Sequence, residues 1–230
     1  MPDKGHILYP PLFSASVTAF FTGKAPGADK PEIARLLGIS PDNIFCPVQK
    51  HTDRIIVLEE ETRDFVADAV LTCKENILIG IQVADCVPIL LHDEGTGAIG
   101  AVHAGWRGTA DGILKLAIKE MNKKFGSLAD NIKIAIGPAI KWCHYEVGED
   151  VLLKVKAQTG EGNYYKTGSP KPYLDLPRAN RLQALSMGVR EENIWLSSEC
   201  TYCEADMFNS YRRDRDGGRQ GGFIGKLERR

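Results

Sequence analysis

Two short apolar runs flanking an acidic, glycine-bearing turn constrain this chain more than any other feature. The first run is Ala84-Asp85-Cys86-Val87-Pro88-Ile89-Leu90-Leu91-His92 and the turn is Asp93-Glu94-Gly95-Thr96-Gly97. The second run is Ala98-Ile99-Gly100-Ala101-Val102-His103-Ala104-Gly105-Trp106-Arg107-Gly108. Apolar runs of strand length joined by five residues rich in glycine and acid read as a β-hairpin. A hairpin centred on Gly95 sets Cys86 opposite position 103 or 104. Directly opposed residues share a face of the sheet, with Cβ atoms roughly 4.5–5.5 Å apart. A thiol and an imidazole are therefore expected to meet, and a bulge would displace that meeting by one residue.

The rest of the chain sets limits. Its 230 residues make one large domain or two small ones, with ample length for a core. Hydrophobic content of 43% and charged content of 26% are ordinary globular values. A formal charge of −1 gives no reason to expect nucleic acid or an anionic membrane as partner. The opening Met1-Pro2-Asp3-Lys4-Gly5 lacks the apolar segment of a signal peptide, and no apolar run reaches membrane-spanning length. Six cysteines without a secretion signal point to reduced thiols in a cytoplasm. Cys46 and Cys73 read as small buried hydrophobes.

Periodicity places the other elements. Ile7 to Phe21 alternates like a strand, and Pro31 to Gly38 reads as a short helix with proline at its start and glycine at its stop. Asn43 to Val48, Arg54 to Leu58, Asp68 to Thr72 and Ile77 to Val83 read as strands. Thr109 to Phe125 reads as one amphipathic helix, with apolar residues at 113, 114, 116, 117, 118 and 121. Asn131 to Ile136 and Asn193 to Leu196 complete the inner strands; Asp150 to Thr159 and Leu176 to Met187 complete the helices. Glu161 to Pro172 and Arg212 to Gly222 read as loops, with a last strand over Phe223 to Leu227. Short mixed strands with interspersed helices predict a single α/β domain, α+β-like in its mixed sheets, over 1–230.

The chemistry of the Cys86–His103 pair has three readings. The imidazole lowers the thiol pKa in a nucleophilic dyad. Alternatively the two are zinc ligands, with three protein ligands plus water as the catalytic arrangement. In the third reading they are a buried thiol beside a hydrogen-bonded histidine. Gly105-Trp106-Arg107-Gly108-Thr109 follows at once and opens a helix, which offers free N–H groups, close backbone approach and a cation beside the thiol. An arginine there opposes the helix dipole, which favours a bound anion. Among the other histidines, His6 reads as solvated and His92 as a surface residue near the turn. His51 sits in a polar link between strands, and His144 suits a cleft and a structural role equally. Cys200-Thr201-Tyr202-Cys203 has C-x-x-C spacing but no second such pair, so it reads as a local thiol pair rather than a zinc knuckle. In Tyr211 to Gln220, four arginines interleaved with aspartates suit phosphate or carboxylate. An ordinary solvated loop suits them as well.

Taken in order, several motifs resemble the YfiH/YlmD family, also called the laccase-domain or multicopper polyphenol oxidase family, which includes the peptidoglycan editing factor. They are Gln49-x-His51, Ala84-Asp85-Cys86-x-Pro88-Ile89-Leu90-Leu91 and His103-Ala104-Gly105-Trp106-Arg107-Gly108-Thr109. Ile136-Gly137-Pro138, Tyr145-Glu146-Val147-Gly148, Cys200-Thr201, and Ser210-Tyr211-Arg212-Arg213 with Gly218-Arg219-Gln220 continue the series. The resemblance implies a fold related to toxin-type cysteine hydrolases. It implies a zinc ion, with copper as the other possibility, held by His51, Cys86 and His103, which are then also the catalytic residues. It places Gln49, Arg107, Tyr145 and Arg212 on the substrate side. Thr52 and Cys203 depart from the family pattern. The implied activity is phosphorolysis of adenosine, inosine and methylthioadenosine, with deamination of adenosine. The partners are then a purine nucleoside and phosphate, and the oligomeric state stays open. The alternatives are a peptidoglycan-precursor amide hydrolase with Cys86 as nucleophile and His103 as base, and a zinc-stabilised binding module without catalysis. A copper oxidase comes last, because five histidines with no His-x-His pair are too few for further coppers.

Overall fold

The computed structural model describes residues 6–58, 65–168, 170–215 and 217–227. Its strands are β1 (Ile7–Leu8), β2 (Thr18–Thr22), β3 (Ile44–Phe45), β4 (Ile55–Val57), β5 (Ala69–Thr72), β6 (Leu78–Val83) and β7 (Val87–Asp93). They continue as β8 (Ala98–Ala104), β9 (Lys133–Ile136), β10 (Tyr165–Lys166), β11 (Tyr173–Leu174), β12 (Ile194–Leu196) and β13 (Gln220–Gly225). The helices are α1 (Lys30–Leu37), α2 (Trp106–Asp111), α3 (Ile113–Phe125), α4 (Glu149–Thr159), α5 (Leu176–Ser186) and the single turn α6 (Tyr211–Asp214).

Two mixed sheets carry the architecture. One has the order β1-β2-β13-β6-β3, the other β12-β9-β7-β8-β5-β4, and β10 and β11 form a small ribbon. The β7–β8 hairpin lies at the centre of the larger sheet, and every residue of both strands is buried. A strand covered on both faces needs apolar side chains in both directions. That is why these runs are continuously hydrophobic rather than alternating. Leu90, Ile99, Ala101 and Val70 meet Phe21, Ile79, Ile81 and Ile224 of the smaller sheet between the two layers. On the opposite face Val87, Ile89, Leu91 and Val102 pack against Ile113, Leu114 and Met121 of α3 and Val155 of α4. Helix α1 covers the outer face of the smaller sheet through Ile33 and Ala34 against Phe20, Leu78 and Phe223. The result is four layers, helix–sheet–sheet–helix, in a mixed α/β fold. Each fully buried Leu or Ile contributes about 1.5–3 kcal/mol, and these residues are concentrated at the three interfaces between the layers.

Local signals explain the element ends. Asp29 caps α1 by accepting from the Glu32 amide at 3.0 Å, Pro31 sits in the first turn, and Gly38 closes the helix in the left-handed region. The hairpin turn is closed by Asp93, whose carboxylate accepts from the Gly95 amide at 2.9 Å and the Thr96 hydroxyl at 3.0 Å.

Several expectations need correction. The helix expected over Thr109 to Phe125 starts at Trp106 and is two helices, because Gly112 at φ +76° ends α2 and begins α3. The strand expected over Ile7 to Phe21 is confined to Ile7–Leu8 and Thr18–Thr22. The alternation between them belongs to turns. Of Asn43 to Val48 only Ile44–Phe45 is strand, and the last strand begins at Gln220 rather than Phe223. A single helical turn, α6, opens the segment expected to be all loop. Cys46 and Cys73 are half-buried rather than fully buried. His92 is buried, not a surface residue, and its Nδ1 has no hydrogen-bond partner. Ser169 and Asp216, which fall in the two expected loops, and the opening five residues lie outside the described residues.

Candidate functional site

The hairpin register differs from expectation by a small but informative step. Pro88 pairs with His103 and Val87 with Ala104, so Cys86 precedes the ladder instead of sitting directly across it. Side chains two apart on a strand share a face, and Cys86 therefore reaches His103 diagonally, from the side of Pro88. Both point into the inter-sheet layer at its open edge. His51 arrives from the 49–53 link between β3 and β4. One donor atom from each of His51, Cys86 and His103 lies within 4.8 Å of the others. The His51 Nε2 is 3.9 Å from the Cys86 sulfur, and the two imidazoles meet edge-to-face at 4.9 Å between centroids.

One residue organises this convergence: Asp68, fully buried just before β5. Its carboxylate accepts the Nδ1–H of His103 at 2.7 Å. It also accepts the backbone amides of Lys50, His51 and Thr52 at 3.2, 3.0 and 2.7 Å and the Thr52 hydroxyl at 2.8 Å. Thr52 thus binds the same anchor through both its amide and its hydroxyl. His51 is held at φ +60°, an uncommon conformation for a non-glycine residue, and these bonds fix it there. A carboxylate on Nδ1 leaves Nε2 of His103 facing the cavity as a σ-donor, the usual support of a metal-ligating histidine.

Electrostatics follow the geometry. Burial opposes ionisation of Cys86, but the imidazoles of His103 and His51 outweigh it and lower the thiol to about 6. Burial would lower His103, yet Asp68 and Cys86 outweigh it and raise the imidazole to about 9. Asp68 is held well below the usual carboxylate range by His103 and Thr52 in spite of its burial. Without a cation the trio is therefore a carboxylate–imidazolium–thiolate chain.

Residue 85 supports the thiol from the other side. Asp85 adopts φ +86°. Its carboxylate accepts the Thr201 hydroxyl and the Arg212 amide, each at 2.7 Å. Two loops from distant parts of the chain thus hold the strained residue that presents Cys86. Gly105, opposite, leaves little room for a side chain. A Cβ there would stand 3.0 Å from the Cys86 sulfur and 3.2 Å from His51.

The trio forms part of the wall of a cleft of about 1080 Å³, wide enough for a small molecule. Its cationic side chains are Lys30, Arg107, Arg212, Arg215 and Arg219. Gln49, Arg107, Tyr145 and Arg212, the positions expected on the substrate side, all line it. The Gln49 amide is engaged at both ends by the main chain of Gln82, at 2.8 Å each, and so fastens the His51 link to β6. The Arg107 guanidinium lies 4.5 Å over Trp106, and that of Arg212 lies 5.0 Å over Tyr145 while donating to the Glu146 carbonyl at 2.9 Å. Arg213, of the same loop, is turned to a structural task. It donates to the carbonyls of Thr201, Tyr202 and Phe208.

Sequence reasoning missed Asp68, which reads only as the polar start of a strand. It also gave no task to Asp85 or Thr201, although both lie inside recognised motifs. The signal for Asp68 was an acid directly preceding Ala69-Val70-Leu71, a run too apolar to border solvent. His144 lies beside Cys143, Cys200 and Cys203, away from the cleft-lining residues.

Comparison with known proteins agrees with this architecture. Residues 28–226 match the family model described as multi-copper polyphenol oxidoreductase laccase. A purine nucleoside phosphorylase of Clostridium acetobutylicum is 40% identical over 184 residues, covering 76% of this chain and 74% of that protein. Adenosine deaminase RL5, from an unknown prokaryotic organism, is 36% identical over 194 residues, covering 79% and 74%. The crystal structure of YlmD from Geobacillus stearothermophilus superposes with a TM-score of 0.90 at 30% identity, covering 99% of this chain and 98% of that one. The chain belongs to this laccase-like family, that of YlmD and YfiH.

Proposed function

We propose that the protein is a zinc-dependent purine nucleoside phosphorylase acting on adenosine, inosine and methylthioadenosine, with adenosine deaminase activity. The observation that carries this reading is the convergence of His51, Cys86 and His103 in the wall of a cationic cleft. The donor set fits a divalent cation. It has one soft sulfur and two imidazole nitrogens, a carboxylate behind one imidazole, and a glycine where any Cβ would crowd the cradle. Three protein donors leave a coordination position open, as in catalytic rather than structural zinc sites. When bound, zinc supplies a Lewis acid and acidifies water in that position. Relatives named purine nucleoside phosphorylase and adenosine deaminase support the choice of substrate.

The chain's own residues do the rest. Arg107 and Arg212, with the cationic side chains around them, hold phosphate against the ribose face of the nucleoside. Tyr145, stacked under Arg212, supplies a flat surface on one side of the cleft. Asp68 keeps His103 in one tautomer, and Asp85 keeps Cys86 pointing at it. The test is phosphate-dependent release of adenine or hypoxanthine from nucleosides by purified protein. Release that scales with phosphate and is lost in Cys86→Ala is expected. No release by the wild type, or equal release by the variant, contradicts the proposal.

The lowered thiol of Cys86 favours a second reading, an amide hydrolase with Cys86 as nucleophile and His103 as general base. It predicts a covalent adduct on Cys86 and activity that survives chelation.

A further inference from the structure

Away from the cleft, the loops that follow β9 and β12 carry a second group of ligand-type side chains. These two strands are parallel neighbours, so their C-terminal loops emerge side by side at one end of the sheet. The β9 loop turns through Trp142 to Tyr145, with the His144 and Tyr145 amides both donating to the Lys141 carbonyl. The β12 loop turns tightly over Cys200 to Glu204, closed by the Glu204 amide on the Cys200 carbonyl at 3.0 Å. These turns aim Cys143, His144, Cys200 and Cys203 at one point, with all four donor atoms within 4.8 Å of one another. From this geometry we propose that the protein has a second metal site, a structural zinc held by Cys143, His144, Cys200 and Cys203.

The distances suit that ion. Four donors on a tetrahedron about zinc, with Zn–S bonds of about 2.3 Å, put sulfurs about 3.8 Å apart. The Cys143 sulfur lies 3.6 Å from those of both Cys200 and Cys203, and the Cys203 sulfur lies 3.3 Å from His144 Nδ1. These separations are far too long for disulfides, whose S–S bond is about 2.05 Å. The cluster therefore holds three thiols and an imidazole with no covalent link among them. The His144 ring is fixed by stacking on Tyr202 at 4.0 Å and 15°, which holds its Nδ1 toward the sulfurs. Three sulfurs and one nitrogen form the closed donor set of structural zinc sites, in contrast to the open trio of the cleft. Binding converts three thiols to thiolates and releases up to three protons to solvent. The C-x-x-C spacing at 200–203 lacked a partner pair in the sequence; the fold supplies it as the adjacent Cys143-His144, 57 residues upstream of Cys200.

The site has a structural consequence for the cleft. Thr201, between two of the ligands, donates to the Asp85 carboxylate, and Arg213 clasps the carbonyls of Thr201 and Tyr202. A cation here locks the loop that steadies the residue before Cys86.

The test uses the full chain purified under reducing conditions. Elemental analysis is expected to give about two zinc per wild-type chain, about one for Cys86→Ala and about one for Cys200→Ser/Cys203→Ser. Cobalt titration of Cys86→Ala separates ligation from folding, because that variant lacks the only thiol of the cleft trio, and among the described residues neither Cys46 nor Cys73 belongs to a cluster of ligand-type side chains. A thiolate-to-cobalt charge-transfer band is then assigned to Cys143, Cys200 and Cys203, and it is expected to vanish when Cys200→Ser and Cys203→Ser are added together, which leaves only Cys143 and His144 at the loops. A Cys86→Ala protein that shows no such band, or that retains no zinc, overturns the proposal. So does a disulfide joining Cys143 to Cys200 or Cys203 in the reduced wild type.

Discussion

The cleft trio and the loop quartet use the same two residue types for opposite ends. In the cleft, two imidazoles and one thiol converge from three elements, and a buried carboxylate organises them from behind. Their remaining side faces a cavity with five cationic residues. At the loops, three thiols and one imidazole come from two short turns, and no cavity is needed because four donors complete a tetrahedron. Ligand count and the presence of an anchored carboxylate, rather than ligand identity, separate a centre suited to chemistry from one suited to bracing. The loop quartet is also tied to the cleft trio: Thr201, between two of its cysteines, donates to the carboxylate of Asp85, the residue before Cys86.

The sharpest break in that comparison comes from Asp68. It is fully buried and serves five donors, so Asp68→Ala leaves the imidazolium of His103 and three backbone amides without a partner. A loss of about 3–5 kcal/mol is expected in urea denaturation, typical of removing one partner of a buried pair. Zinc at the cleft should be lost while zinc at the loops is retained. Next, Cys86→Ala removes the soft donor. Turnover of inosine should fall about a thousandfold, since the Lewis acid is worth several kcal/mol. Thermal stability should change far less than in Asp68→Ala. Third, Gly105→Ala places a methyl 3.0 Å from the Cys86 sulfur. Zinc affinity at the cleft should drop about 10–100-fold, as for other disturbances of a ligand's support, with the loop site unchanged.

The elements that were legible from the sequence are those whose signals are local. Helix α1 was readable because Pro31 and Gly38 mark its ends, and the hairpin because its turn chemistry is complete within Asp93 to Gly97. The pairing of Cys86 with His103 followed from that hairpin, within one residue of register. What escaped depends on contacts across the chain. Gly112 reads as one tolerable glycine in a helical pattern, yet its left-handed conformation splits the helix. His92 carries no hydrophobic mark, and its burial is set by the sheets around it. Asp68 gains its importance from partners 16 to 35 residues away, and the Cys143–Cys200 approach spans 57 residues. The place of His51 came from family resemblance alone, because the link that carries it is fastened by Gln49 and Asp68, long-range bonds that spacing does not reveal.

Two smaller effects sharpen the contrast further. Zinc binding at the proposed cleft site would have to displace the proton that His103 holds up to about pH 9, whereas Cys86 is already ionised above about pH 6. Affinity at the cleft should therefore rise about tenfold per pH unit between those values and level off above about pH 9. Isothermal titration of the Cys200→Ser/Cys203→Ser protein reads this site alone. Finally, Arg212→Ala should raise KM for phosphate about tenfold, the value of one charge-assisted contact at about 1.5 kcal/mol. Affinity for zinc should stay unchanged, as checked by the same titration.

The most direct measurement is recovery of activity as zinc is returned to chelator-stripped protein, with hypoxanthine release from inosine recorded at each addition. Stripped wild type is expected to be inactive, phosphate-dependent release to return as the cleft site fills, and Cys86→Ala to recover no more than about a thousandth of the wild-type rate. Full release by protein free of metal, or equal recovery in Cys86→Ala, would contradict the zinc-dependent reading.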